Sequence, residues 1–198
     1  MSLNLGLVKF QQTKTLLILL IASVFFIFSQ SFATHSESQY EVVKIIDGDT
    51  IRVVDKNAKR KQQIKVRLIG VDSLETDKNL KSFKDAKRLH SSQAKMKQGG
   101  LDAKSFLTTQ IPIGTSVKLE FDKEKYDLHG RTLAYVYKEN GDFINKLLVQ
   151  NGFAGLLIYY PNDSKAQELQ NAYYQAQNSK SGLWGQGYTL TYRWKRKK

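Results

Sequence analysis

Between Tyr40 and Val71 the chain reads YEVVKIIDGDTIRVVDKNAKRKQQIKVRLIGV, three runs rich in β-branched residues separated by two turn signals. Strands joined by such short connections pair as antiparallel neighbours, so this stretch commits the domain to a meander. The first turn holds Asp47-Gly48, a pair that tolerates the positive φ of tight hairpins, but it is followed at once by a second carboxylate, Asp49. The second turn, basic and polar, centres near Asn57 to Arg60. Antiparallel pairing then sets Asp49 opposite roughly residues 68 to 71, which brings Asp49 and Asp72 to the same end of one ribbon.

The remainder fills out a small barrel. Residues 77 to 100 carry Lys78, Lys81, Lys84, Lys87, Arg88, Lys95 and Lys97 against Asp77 and Asp85, and read as an exposed mobile loop or loose helix. After a Gly99-Gly100 break, LDAKSFLTTQI has helical spacing. SVKLEFD and TLAYVYKE supply two more strands around the charged loop KEKYDLHGR, and Asn140-Gly141 ends the second of them. FINKLLVQNG places Phe143, Ile144, Leu147 and Leu148 at helical spacing and stops at Gly152. Ser164 to Gln167 has the form of a capping box for a last helix through about Asn178. Five strands and three helices predict an α+β domain, an antiparallel β-barrel with helices packed against it. Tyr135, Tyr137, Tyr173 and Tyr174 are assigned to the core or a helix seam. The tail YRWKRKK is expected to fray.

Residues 1 to 33 differ in kind. Lys9 and Lys14 precede an apolar run of 14 residues, Thr15 to Phe28, and Ser31 and Ala33 lie at the last and third-last places of SQSFA. That is the layout of a secretory signal cleaved after Ala33, and the run is short beside the ~20 residues of a spanning helix. A retained membrane anchor is the alternative. The expected organisation is a signal over 1–33, a linker over 34–39, the domain over 40–187 and a basic tail over 188–198. No cysteine occurs, so an exported chain of this kind stands without disulfides. Lys and Arg number 31 against 18 Asp and Glu, and removal of residues 1–33 leaves a formal charge of +11. Such a surface attracts polyanions, nucleic acid among them, though solubility alone also accounts for it.

Three clusters hold the residue types that phosphodiester cleavage needs: Asp47, Asp49 and Thr50; Arg67, Asp72 and Glu75; and Arg131 in DLHGRTLAYVY. Carboxylates converging from separate segments can hold a hard cation. Two guanidiniums grip phosphate oxygens in a fork that lysine does not reproduce, and a further carboxylate orients or deprotonates water. Each residue also has a plain structural explanation. The aspartates form turns, Arg67 makes a surface ion pair, Asp72 and Glu75 cap a turn, and Arg131 sits in a solvated hairpin. Three histidines without cysteine, two of them His35 and His90, offer no zinc site.

Taken together, IIDGDTIRV, VRLIGVDSLET, FDKEKYDLHGRTLAYVY, LLVQNGFA and GLWG resemble the staphylococcal nuclease (thermonuclease) family in order and spacing over residues 41 to 185. The resemblance implies a five-stranded OB-fold barrel with three helices and calcium-dependent hydrolysis of DNA and RNA that leaves 3′-phosphorylated ends. It implies that Asp49 and Asp72 bind Ca2+ with the carbonyl of Ser73, and that Glu75 activates water. Arg67 and Arg131 bind the scissile phosphate, and Asp47 and Thr50 stand in the outer shell of the metal. The chain departs from the family pattern at Leu128 and His129, where a lysine and a tyrosine precede the glycine-arginine pair in a loop one residue longer. His129 is the expected replacement contact. Of two nucleotide-facing tyrosines, an ungapped match gives Tyr160 and Ile158, with Tyr159 the substitute. Ser73-Leu74 stands where the family has threonine-proline. The reading carries DNA and RNA as substrates, no protein partner, a monomer, and a secreted or periplasmic location. Its rivals are a barrel that binds single strands without cutting them and a membrane-tethered nuclease.

Overall fold

The computed structural model describes residues 39–77, 80–88 and 90–195; the signal and residues 34–38 of the linker, His35 among them, lie outside the described residues, and Gln39, assigned to the linker, opens the first strand. Five strands close a barrel in the order β1-β2-β3-β6-β5: β1 (Gln39–Asp47), β2 (Thr50–Asp55), β3 (Gln63–Leu68), β5 (Ser116–Glu120) and β6 (Thr132–Lys138). These are the five barrel strands the patterning predicts. Val42, Ile51, Val53, Val66, Val117, Ala134 and Val136 are fully buried inside it, as the period-2 alternation requires. The third run, IKVRLIGV, is split at Ile69. Its second half, β4 (Gly70–Asp72), leaves the barrel and pairs instead with β7 (Gly155–Tyr159), which in turn pairs with β8 (Tyr192–Lys195).

Four α-helices are described: α1 (Leu80–Arg88), α2 (Gln93–Gln110), α3 (Ile144–Gln150) and α4 (Ala166–Asn178). Three were expected; the fourth arises because the basic stretch takes the helical one of its two expected forms, as α1 and the start of α2. α2 also runs straight through Gly99-Gly100, where a break was expected. The glycines are there for approach: a Cβ on Gly100 would lie 2.4 Å from the carbonyl oxygen of Glu75, and one on Gly99 2.6 Å from Leu74. With Met96, Ala103 and Leu107 they form the buried face of α2, which therefore begins inside the basic stretch while its lysines face solvent.

Two further expectations are corrected. The capping box at Ser164 does not form, because the Ser164 amide donates to Asp122 Oδ2 at 3.0 Å and α4 starts after Lys165 without a side-chain cap. As far as Lys195 the tail does not fray: Tyr188, Leu190 and Thr191 are buried, Trp194 packs on the core, and β8 runs parallel to β7, while residues 196–198 lie outside the described residues. Of the four tyrosines assigned to the interior, Tyr135 and Tyr173 are buried and Tyr137 packs against the core, whereas Tyr174 is exposed and stacks on Tyr192 at 5.9 Å.

A buried asparagine ties the layers together beside the future site. Asn145 on α3 accepts from the Val136 amide at 2.9 Å and donates to the Ile69 carbonyl at 2.9 Å. That pair of bonds satisfies a backbone amide of β6 and the carbonyl left over where β3 turns into β4, and so ties the corner between Arg67 and Asp72 to the barrel.

Candidate active site

β1 and β2 pair through Asp47 opposite Thr50, leaving Gly48 and Asp49 as the hairpin turn. Gly48 does not take the left-handed conformation expected of an Asp-Gly turn. Its need is for space, since a Cβ there would stand 2.7 Å from Ala103 Cβ and 2.8 Å from Ser73 Cβ. The turn is thereby pressed onto α2 and onto the end of β4. β2 and β3 pair Thr50 with Arg67, and the Leu68 amide donates to the Asp49 carbonyl at 3.0 Å, within the register the sequence implies.

Asp49 is the hub of the result. Its carboxylate, in a residue 5% exposed, accepts from Thr50 Oγ1 at 2.9 Å and from the Ser73 amide at 2.9 Å, and stands 3.1 Å from Arg67 Nη1. Arg67 Nη2 lies 3.8 Å from Asp72 Oδ1, so one guanidinium faces both acids. Asp72 is equally buried, and Ser73 is 3% exposed. Asp47 Oδ1 accepts from the Asp49 amide at 3.2 Å. Burial, then the Asp49 carboxylate beside it, push the Asp47 carboxyl up to about 7, against the opposing pull of the Asp49 amide and Arg67.

The donor set fits a hard cation. Two buried carboxylates, beside a third that burial and then Asp49 push toward its neutral form, gather more negative charge than one guanidinium offsets. Among the described residues no three acidic or histidine side chains stand close enough to hold a metal by themselves. A cation at Asp49 and Asp72 therefore completes its shell with backbone oxygens or water, as calcium commonly does.

Arg67 also lines a cleft of about 490 Å3, whose other walls carry Asp127, His129, Arg131, Tyr159 and Tyr160. Both arginines thus face one space. Arg131 is held by Asp127, which the sequence reading passed over: Arg131 Nε donates to Asp127 Oδ2 at 2.7 Å, and the amides of His129 and Arg131 donate to Oδ1, each at 2.9 Å. The signal for it was an Asx turn at the start of DLHGR. Burial raises the Asp127 carboxyl, but the hydrogen bonds from Arg131 and His129 outweigh it and hold the group below the usual carboxylate range.

Tyr159 and Tyr160 are half exposed on the cleft wall, beside the Lys195 and Lys123 ammonium groups at 5.2 and 5.8 Å from their ring centres. Ile158 is buried away from the cleft, whereas Tyr159 lines it. Leu128 is fully exposed on the cleft rim. Glu75 stands apart from the cleft lining, half buried in the segment after β4, with its backbone against Gly100 of α2.

Comparison with known proteins follows this geometry. The family model described as Staphylococcal nuclease homologue matches residues 65–186. The chain is 34% identical over 156 residues to a thermonuclease of Staphylococcus hyicus, covering 79% of this chain and 81% of that one. It is 35% identical over 157 residues to a thermonuclease of Staphylococcus intermedius, covering 79% and 82%. Endonuclease YhcR of Bacillus subtilis is 29% identical over 159 residues, 78% of this chain and 12% of the relative.

Proposed function

We propose, from the premise that this chain belongs to the staphylococcal nuclease family, that it is a calcium-dependent, sugar-nonspecific endonuclease that leaves 3′-phosphate ends. That it is a nuclease acting on nucleic acid follows from the family. The finer reading is supported above all by the convergence of Asp49 and Asp72 on Arg67, with Arg131 facing the same cleft.

Asp49, Asp72 and the Ser73 carbonyl would hold the cation. When bound, calcium neutralises phosphate oxygens and lowers the cost of charge developing on phosphorus. Arg67, on the cleft wall beside Asp49 and Asp72, would present its fork to a phosphate oxygen. Arg131, held by Asp127, meets the same phosphate from the other wall. Glu75 takes a proton from water, the hydroxide attacks phosphorus in line, the P–O5′ bond breaks, and the departing 5′ oxygen takes a proton from solvent, which leaves the phosphate on the 3′ side. Asp47 and Thr50 orient Asp49. Tyr159, Tyr160 and His129 contact the nucleotide. The protein acts as a monomer after export, with residues 1–33 removed.

The test is incubation of the purified protein with single-stranded DNA and RNA, with calcium or with a chelator, and analysis of the product ends. Cleavage of both polymers with calcium alone, yielding 3′-phosphates, is the expected outcome. Cutting that persists with chelator removes the metal mechanism, and binding without cutting makes the protein a single-strand binding module.

A further inference from the structure

A second hollow, of about 280 Å3, opens in the barrel wall beside the cleft. Its origin is an incomplete seam. β3 pairs with β6 only from Val66 to Leu68, so Gln63 to Lys65 pair with β2 on one side and border the hollow on the other. Facing that edge runs the segment 121–126, anchored by the Leu133 amide on the Lys125 carbonyl at 2.8 Å and by the bridge between Tyr126 and Thr132.

What lines the gap is selective in character. Phe121 and Tyr126 are 36% and 60% exposed, and the Lys125 ammonium lies 4.5 and 5.8 Å from their ring centres. Lys65 stands exposed on the opposite edge, and among the described residues no acidic side chain lines the hollow. Exposed rings interleaved with ammonium groups form a surface on which unpaired bases stack while their phosphates are neutralised. The hollow adjoins the cleft: Tyr126 lines both, and the loop carrying Arg131 contributes Gly130 to the hollow and Arg131 to the cleft. A strand whose phosphate sits between Arg67 and Arg131 has its neighbouring nucleotides delivered to this surface.

We propose that the seam between β3 and the segment 121–126 is a subsite for the unpaired nucleotides adjoining those in the catalytic cleft, with Phe121 and Tyr126 as stacking platforms and Lys65 and Lys125 as phosphate contacts. The proposal rests on the nuclease reading of the cleft and extends it to a preference for longer single strands. A paired duplex does not offer its bases to the rings.

Fluorescence anisotropy with labelled thymidine oligonucleotides, a trinucleotide and a decanucleotide, tests it on the whole protein in the presence of chelator, so that binding is read without cleavage. The wild type is expected to bind the longer strand at least about tenfold more tightly. A Lys65→Ala/Lys125→Ala variant, and separately Phe121→Ala, are expected to lose most of that gain while trinucleotide binding stays unchanged. With calcium restored, kcat/KM on the two lengths should show the same split. Variants that keep the wild-type gain, a wild type that shows none, or an acidic peptide that displaces the decanucleotide better than unlabelled oligonucleotide each overturn the proposal. Loss of cleavage with the length dependence of binding intact counts against the nuclease reading and leaves the subsite standing. Should Phe121→Ala fail to fold, the two exposed lysines carry the result.

Discussion

Arg67 gathers the site, because its guanidinium faces Asp49 and Asp72 at once and lines the cleft as well. Arg67→Ala is expected to lower turnover by at least about a hundredfold through loss of charge stabilisation on the phosphate. Glu75→Ala should do the same through loss of the base, and steady-state rates on single-stranded DNA check both; a wild-type rate in either variant removes that residue's role. Asp127 gives a pH signature. Its carboxyl lies below the ordinary range when folded, so the bonds to Arg131 and His129 stabilise the fold above the unfolded value near 4 and lose that contribution as pH falls through the folded value. The melting temperature of Asp127→Asn should therefore be lower than wild type at neutral pH, and the gap should close in acid. These acids and arginines were legible one by one in the sequence as residue types. Asp127 was not, because nothing in a linear reading says that a loop carboxylate will be spent on aiming an arginine.

The elements explain why the site is rigid enough to use. α2 approaches the segment that carries Glu75 to within the space of a missing methyl group. Gly100→Ala is expected to destabilise the protein by about 1–3 kcal/mol and to reduce activity by shifting Glu75, measured by denaturant unfolding beside turnover. Asn145→Leu leaves the buried Val136 amide and Ile69 carbonyl without their partner, at about 1–3 kcal/mol, read in the same unfolding experiment. Strand patterning revealed all five barrel strands, because alternation at period 2 is local. The face of α2 was hidden, because glycines count as breakers until the backbone they must approach is known. β7 and β8 were hidden for a related reason, since each is short and its identity as a strand comes from partners far away in the chain; β4 was read as strand, but its departure from the barrel to pair with β7 was not.

Over the whole molecule, Lys and Arg outnumber Asp and Glu by 31 to 18, and the acids that matter are concentrated at one corner. A basic surface attracts the polymer, and the local acidic pocket is the spot proposed for a cation. Affinity for single-stranded DNA should therefore fall with rising salt, with a log-log slope of at least about −2 if three or more phosphates are neutralised, and the slope should be shallower in Lys65→Ala/Lys125→Ala. The sequence by itself determined the barrel class, the register that sends Asp49 toward Asp72, and the family, since each is written in local periodicity or in the order of short motifs. Only the tertiary structure decided that Arg67 and Arg131 share a cleft, that the C-terminal residues zip onto β7, and that the seam beside β3 stays open. Those outcomes depend on which distant backbones come into contact, and a linear chain carries no record of contacts until packing selects among them.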